Sequence, residues 1–145
     1  MDRMQYLPGP EVEGGRSQGS PSRAAWDRRS RRSDNITQAL RYLLEACCES
    51  GQLEAMALAD RDGLLLASSG QREACEEVAA RIAVLQVDVG SFRGTVIGEA
   101  GSWTVHMKRL RIAELNIYVC AIGGSPDERI RQVARAAAGI ERILA

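Results

Sequence analysis

Residues 53–70, LEAMALADRDGLLLASSG, predict a β-hairpin from which the rest of the fold can be worked out. Leu53 to Ala59 form a short apolar segment, and Leu64 to Ala67 form a second one. Between them, Asp60-Arg61-Asp62-Gly63 is typical of a tight turn, because glycine supplies the positive φ that such turns need. The second segment is apolar on both faces and is therefore expected to be buried rather than half-solvated.

A helix is predicted on each side of this hairpin. The first begins at Asn35, which forms a variant of the capping box with Gln38, and ends at a C-terminal glycine, Gly51. Its apolar face consists of Ile36, Leu40, Leu43, Leu44 and Cys47. The second helix spans about residues 71–88, and the face directed at a sheet consists of Cys75, Val78, Ala79, Ile82, Leu85 and Val89.

The second helix also has an apolar stripe on its far side, formed by Ala80, Val84 and Val87. A helix in a small monomer needs only one apolar face, because only one face packs against the core. Two interpretations stay open: the stripe is simply exposed, or it contacts another subunit.

The C-terminal half predicts three strands and a helix. The strands are residues 94–98, residues 103–108 with alternating burial of Trp103, Val105 and Met107, and a central apolar strand from Leu115 to Ile122. Ser125 is the expected cap of the last helix, with Pro126 at its first position and Glu128 completing a capping box. Its predicted apolar face is Ile130, Val133, Ala134, Ala137, Ile140 and Leu144, and Arg131, Arg135 and Arg142 line another face.

The order helix, two strands, helix, three strands, helix predicts an α+β protein. A hairpin followed by a meander gives a five-stranded antiparallel sheet, with the second helix on one face and the other two helices on the opposite face. This arrangement is a three-layer sandwich.

Composition and charge exclude several classes of function. The 145 residues include 19 basic and 19 acidic side chains, so no net charge attracts nucleic acid or an anionic membrane. No apolar run approaches the roughly 18 residues needed to span a bilayer. The first 30 residues also lack the apolar core of a secretory signal, so we expect a cytoplasmic protein.

The first 35 residues differ in composition from residues 36–145, which are predicted to form the folded domain. They contain Pro8, Pro10 and Pro21 and few aliphatic side chains, and therefore predict a disordered tail. The tail includes Trp26 among several arginines: Arg23, Arg28, Arg29, Arg31 and Arg32. Either a solubilising tail or a docking peptide that orders on binding explains this cluster.

No residue pattern predicts catalysis, a metal or a cofactor. His106 is the single histidine and is expected on the polar face of a half-buried strand, without a nucleophile motif beside it. The four cysteines, Cys47, Cys48, Cys75 and Cys120, lack CxxC spacing, and Cys47 is expected to pack in the core. The turn at Gly123-Gly124-Ser125 lacks the Lys-Ser/Thr of a phosphate-binding loop. Glu73, Glu76 and Glu77 are expected to lie solvated at the positive end of a helix.

The order of elements, together with three segments, resembles the Roadblock/dynein light-chain domain, which has a profilin-like fold. The segments are the hairpin Ala57 to Ser68, the strand Val105 to Leu110, and Leu115 to Ile122 leading into Ser125. The resemblance covers about residues 36–145 and is closest to bacterial and archaeal members. It implies a regulatory scaffold that forms homodimers through its second helix and third strand and binds a Ras-like small GTPase or another roadblock protein.

The same resemblance implies that some members stimulate GTP hydrolysis by repositioning residues of the GTPase itself. No catalytic residue is therefore carried over to this chain. The expected dimer interface comprises Glu77, Ala80, Arg81, Val84, Val87, Thr95, Val96 and Ile97. Further partner contacts are expected at Trp26, Arg28, Arg29, Arg131 and Arg135, although a solvated helix face explains Arg131 and Arg135 better. A small-ligand sensing domain of the same fold and a purely structural subunit remain as alternatives.

Overall fold

The computed structural model describes residues 20–85 and 90–145, with side chains from Asp34 onward except Ala83 and Leu85. The predicted order of elements is confirmed. The elements are α1 (Ser20–Ser50), β1 (Ala55–Asp60), β2 (Leu65–Gly70), α2 (Arg72–Leu85), β3 (Ser91–Ile97), β4 (Ser102–Ile112), β5 (Leu115–Ile122) and α3 (Pro126–Leu144). Residue contacts divide the chain into two units, Met1–Asn35 and Ile36–Ala145, and the second contains the whole sheet.

The five strands form one antiparallel sheet in the order β2-β1-β5-β4-β3. The strand predicted to be central, β5, lies in the middle and pairs with β1 on one side and β4 on the other. Strands β2 and β3 lie at the two edges.

Two apolar clusters confirm the three-layer sandwich. On one face of the sheet, α2 packs through Cys75, Val78, Ala79 and Ile82 against residues such as Ala57 and Cys120. On the other face, α1 and α3 share a core around Met56, Leu58 and Val119. Alternate residues of β1 face opposite clusters, because successive side chains of a strand point to opposite sides of its sheet.

The hairpin turn forms as predicted. Gly63 has a φ of 85°, and Asp60 Oδ1 accepts hydrogen bonds from the backbone amides of Asp62 and Leu64 at 2.9 and 3.0 Å. The second strand, in contrast, was wrongly predicted to be buried on both faces. Strand β2 is an edge strand, and Leu64 and Leu66 are exposed.

Both ends of α1 differ from the prediction. The helix begins at Ser20 rather than Asn35, so residues 20–35, predicted to be disordered, are helical. Alanine and arginine favour helix, and extending an existing helix avoids the cost of nucleation. At the other end, the left-handed residue is Gln52, with a φ of 52°, and not Gly51. A Cβ on Gly51 would lie 2.6 Å from Gln132 Cγ, so close packing explains this glycine.

The last helix is capped as predicted, because Ser125 Oγ accepts a hydrogen bond from the Glu128 amide at 3.2 Å. Its apolar face is rotated slightly from the prediction: Ile130 and Ala134 are exposed, whereas Ala136 and Gly139 are buried. None of the helices that the structure describes is both long and apolar enough to cross a bilayer.

Candidate functional site

The exposed apolar residues predicted to meet a second subunit lie on α2 and β3. Val84 on α2 is 69% exposed, and Ile97 at the end of β3 is 67% exposed. Ala80, one helical turn before Val84, and Thr95 are also exposed. We call Ala80, Val84, Thr95 and Ile97 the α2–β3 surface. Val87, the third member of the predicted stripe, lies outside the described residues.

The outer edge of β3 is unpaired within residues 20–85 and 90–145. The Gly98 amide donates to the Gly101 carbonyl at 2.8 Å, so these two residues form a hydrogen-bonded pair between β3 and β4. Along an antiparallel pair of strands, hydrogen-bonded and non-hydrogen-bonded residue pairs alternate. By that alternation, the backbone groups of Arg93, Thr95 and Ile97 point outward. Arg81 Nη2 donates to the outward Ile97 carbonyl at 2.8 Å, so the edge is open at Thr95 and Arg93.

Glu77 fixes the position of the β3–β4 turn against α2. Its Oε1 accepts from Trp103 Nε1 at 2.9 Å, and its Oε2 accepts from the Ala100 amide at 2.7 Å. Gly98 allows this approach, because a Cβ there would lie 2.0 Å from Glu77 Oε1. The hydrogen bond from Trp103, followed by that from Ala100, lowers the pKa of the Glu77 carboxyl below its usual 4.5.

We expect Glu77→Gln to reduce the loss of stability at acid pH. The lowered pKa of Glu77 means that its charge stabilises the folded state above the unfolded pKa of 4.5, and that this contribution is lost as pH falls through the folded value. The difference in Tm between pH 6 and pH 3.5 should therefore be smaller in Glu77→Gln than in the wild type. The exposed Glu73→Gln, on the same helix, serves as the control. An unchanged difference in Glu77→Gln would contradict the assignment.

Not every residue of the predicted dimer interface presents its side chain to the surface. Glu77 is bonded within the chain, and Val96 is 6% exposed and packs beneath α2. Val96 is buried because alternate residues of β3 point to opposite faces. Ala80, Arg81, Val84, Thr95 and Ile97 are the exposed members.

The predicted partner contacts Arg131 and Arg135 lie on a different helix from Ala80 and Val84. Arg131 and Arg135 are exposed on α3, which covers the opposite face of the sheet from α2. Arg131 forms an ion pair with Glu128. Trp26, Arg28 and Arg29 belong to α1, but their side chains lie outside the described residues.

The four cysteines are buried free thiols, and Cys47 lies in the core as predicted. Burial raises the pKa of Cys75 to about 11 and that of Cys120 to about 12, so both are held as thiols at neutral pH. The described part of the chain contains no group of three or more His, Cys, Asp or Glu residues able to hold a metal ion.

His106 lies on the predicted face of β4, opposite Val105 and Met107, but this face is covered there. It is only 8% exposed, because α3 packs over this end of β4. Burial, followed by the charges of Arg93, Arg129 and Lys108, lowers the pKa of its imidazole. Sequence reasoning also missed Arg129, which is 8% exposed although Glu128 precedes it and the exposed Ile130 and Arg131 follow it on α3. No local signal distinguishes it from the exposed arginines of the same helix.

No family model matches the chain, and no curated protein matches it in sequence. Solved structures do match. MglB from Myxococcus xanthus aligns with a TM-score of 0.55 and 11% identity, over 74% of this chain and 88% of that one. An MglB with a tetrameric arrangement aligns with a TM-score of 0.57 and 15% identity, over 75% and 90%. The Roadblock/LC7 domain from Streptomyces avermitilis aligns with a TM-score of 0.54 and 13% identity, over 72% and 96%.

These similarities establish the architecture of the chain. It has the roadblock/LC7 fold that the resemblance in sequence implied.

Proposed function

We propose that the protein is a non-enzymatic homodimeric regulator or scaffold that binds a Ras-like small GTPase in the bacterial cytoplasm. The α2–β3 surface carries the proposal, because it combines an open strand edge with exposed aliphatic side chains on both faces of the sheet: Val84 on α2 and Ile97 on the face opposite α2. Stimulation of GTP hydrolysis, without a catalytic residue from this chain, is the more specific form of the proposal.

The argument for a homodimer is physical. An open edge offers unpaired backbone groups, and a second chain that pairs with it removes that liability. A two-fold axis uses one patch twice, so Val84 on one copy would meet the same helix of the other. The tetrameric arrangement of one MglB structure supports self-association in proteins of this fold.

The class of partner follows from the family that the sequence resembles. Pairing of two β3 edges would produce a continuous sheet with two α2 helices on one face. Such a platform is broad and rigid, and it fits a globular partner better than a small ligand. A ligand-sensing domain is less well supported, because apolar side chains fill the interfaces between the sheet and its helices.

Binding to Ras-like GTPases from the same organism tests the proposal. The full-length chain should retain at least one such GTPase in the presence of GDP or of a non-hydrolysable GTP analogue. Turnover measured with and without the protein then separates an activator from a passive scaffold. Light scattering on the same sample shows whether the dimer is present. A dimer that binds no GTPase in either nucleotide state would overturn the partner assignment and leave the dimer intact.

A further inference from the structure

A small cleft of about 70 Å³ lies where β3 and β4 meet the start of α3. Its polar lining residues come from three elements: Arg93 from β3, Thr104 and His106 from β4, and Arg129 from α3. It lies on the face of the sheet covered by α1 and α3, away from α2. The cleft is therefore separate from the exposed side chains on α2.

Arg129 is a buried cation without an anionic partner among the described residues. It is 8% exposed, and its Nη1 donates to the carbonyls of Gly123 and Gly124 at 2.9 and 2.8 Å. Both acceptors are neutral, and no carboxylate of the described residues forms an ion pair with Arg129. A guanidinium removed from water is normally compensated by a carboxylate or another anion. The cleft thus contains uncompensated positive charge.

His106 supplies the second, independent observation. It is 8% exposed, and its buried Nδ1 has no hydrogen-bond partner. Arg93 is its direct cross-strand neighbour, and the pair does not exchange backbone hydrogen bonds, which brings the two side chains close together. The charges that act on the imidazole come from Arg93, Lys108 and Arg129, and all three are positive. The unpaired Nδ1 and the three surrounding cations show that the polar groups around His106 lack a partner.

We propose that this cleft binds one small oxyanion of the phosphate class, held by Arg93, His106 and Arg129, with the Thr104 hydroxyl as a further donor. An oxyanion supplies what these groups lack: oxygen acceptors for the donors and negative charge for the two guanidinium groups. The volume of about 70 Å³ is enough for a single phosphate or sulfate group and too small to enclose a whole nucleotide. The proposal does not require a GTPase partner, and it places Arg93 on the same edge strand that the proposed dimer would pair.

Binding of the oxyanion should be coupled to protonation of His106. A protonated imidazole donates from both nitrogens, whereas a neutral one donates from one only. The bound anion therefore favours the charged ring, and by reciprocity protonation of the ring strengthens binding of the anion. Affinity should rise as pH falls toward and below the pKa of His106.

NMR of the imidazole tests the proposal in the full-length protein, since His106 is the only histidine and gives a single unambiguous signal. Sulfate and inorganic phosphate are titrated separately at constant ionic strength set with chloride. We expect a saturable shift of the His106 resonance with either oxyanion, and a higher pKa of His106 at saturation. If chloride produced the same shift of the His106 resonance, or if the shift did not saturate, charge screening would explain it. Either result would overturn the proposed site.

Arg93→Ala gives the decisive variant, because Arg93 is exposed on an edge strand and is not needed to fill the core. Two opposite changes are expected: the pKa of His106 without oxyanion rises, and the affinity for sulfate falls about tenfold, as expected from loss of one charge-assisted hydrogen bond. Arg111→Ala, exposed on β4 and absent from the cleft, should leave both unchanged. Unchanged sulfate affinity in Arg93→Ala would overturn the proposal. Tighter binding of acetate than of sulfate or phosphate would overturn the phosphate class in favour of a carboxylate.

Discussion

Replacing Val84 with aspartate is expected to convert the proposed dimer into a folded monomer. Val84 is 69% exposed in the single chain, so the substitution removes no contact with the core. In a two-fold dimer each copy would lose about 1.5 kcal/mol of valine burial, or about 3 kcal/mol for the pair, and the new charges would face each other. The dissociation constant should therefore rise at least about 100-fold. Light scattering at micromolar concentration measures the change.

A matched control separates this effect from the general effect of a new surface charge. Leu115, at the start of β5, is 67% exposed and lies beside Leu66 rather than on α2 or β3. Leu115→Asp should remain dimeric, and both variants should keep the circular dichroism of the wild type. A dimeric Val84→Asp would show that the interface lies elsewhere. A monomeric wild type at the same concentration would exclude the dimer.

Local chemistry accounts for the parts of the fold that were predicted correctly. The turn at Asp60 to Gly63 forms because an aspartate accepts two backbone amides while a glycine takes a positive φ. The cap of α3 forms because Ser125 accepts the Glu128 amide. Each device is complete within four or five consecutive residues, so its outcome depends little on the rest of the chain.

The errors arise where the outcome depends on distant residues. The apolar pattern of β2 predicts burial, but an edge position leaves Leu66 exposed. Alternation along β4 predicts that His106 points away from the core beneath α2, and the predicted sandwich places two helices on the other face. Neither pattern indicates that α3 lies directly over His106. The position of Arg129 depends on the carbonyls of the Gly-Gly turn, which the helical pattern of α3 does not reveal.

The candidate interface also contains features that local sequence predicts and features that depend on distant residues. The second apolar stripe of α2 predicts the exposure of Ala80 and Val84, because helical spacing alone separates the two faces. The role of Glu77 could not be predicted, since its partner Trp103 lies 26 positions further along the chain. A carboxylate in the middle of a helix gives no indication in sequence that it positions a turn between two strands.

Gly70→Ala is expected to be the most destabilising of the single substitutions proposed for this protein. Gly70 has a φ of 87°, and a Cβ there would lie 2.3 Å from the Glu54 carbonyl oxygen and 2.8 Å from Ala55 Cα. Both are backbone atoms, so no side-chain rotation relieves the contact. Together with the cost of a left-handed alanine, we expect the free energy of unfolding to fall by about 3 kcal/mol or more.

Gly90→Ala is the control for this prediction, since a Cβ at Gly90 would meet no atom within 4 Å. Its free energy of unfolding should stay within about 1 kcal/mol of the wild type, measured by urea denaturation. Gly70 also precedes α2, which begins at Arg72. A displaced Gly70 therefore shifts the start of the helix that carries Val84, and the dimer should weaken along with the fold. Equal stability of the two variants would mean that β1 and the end of β2 do not approach as closely as the hairpin requires.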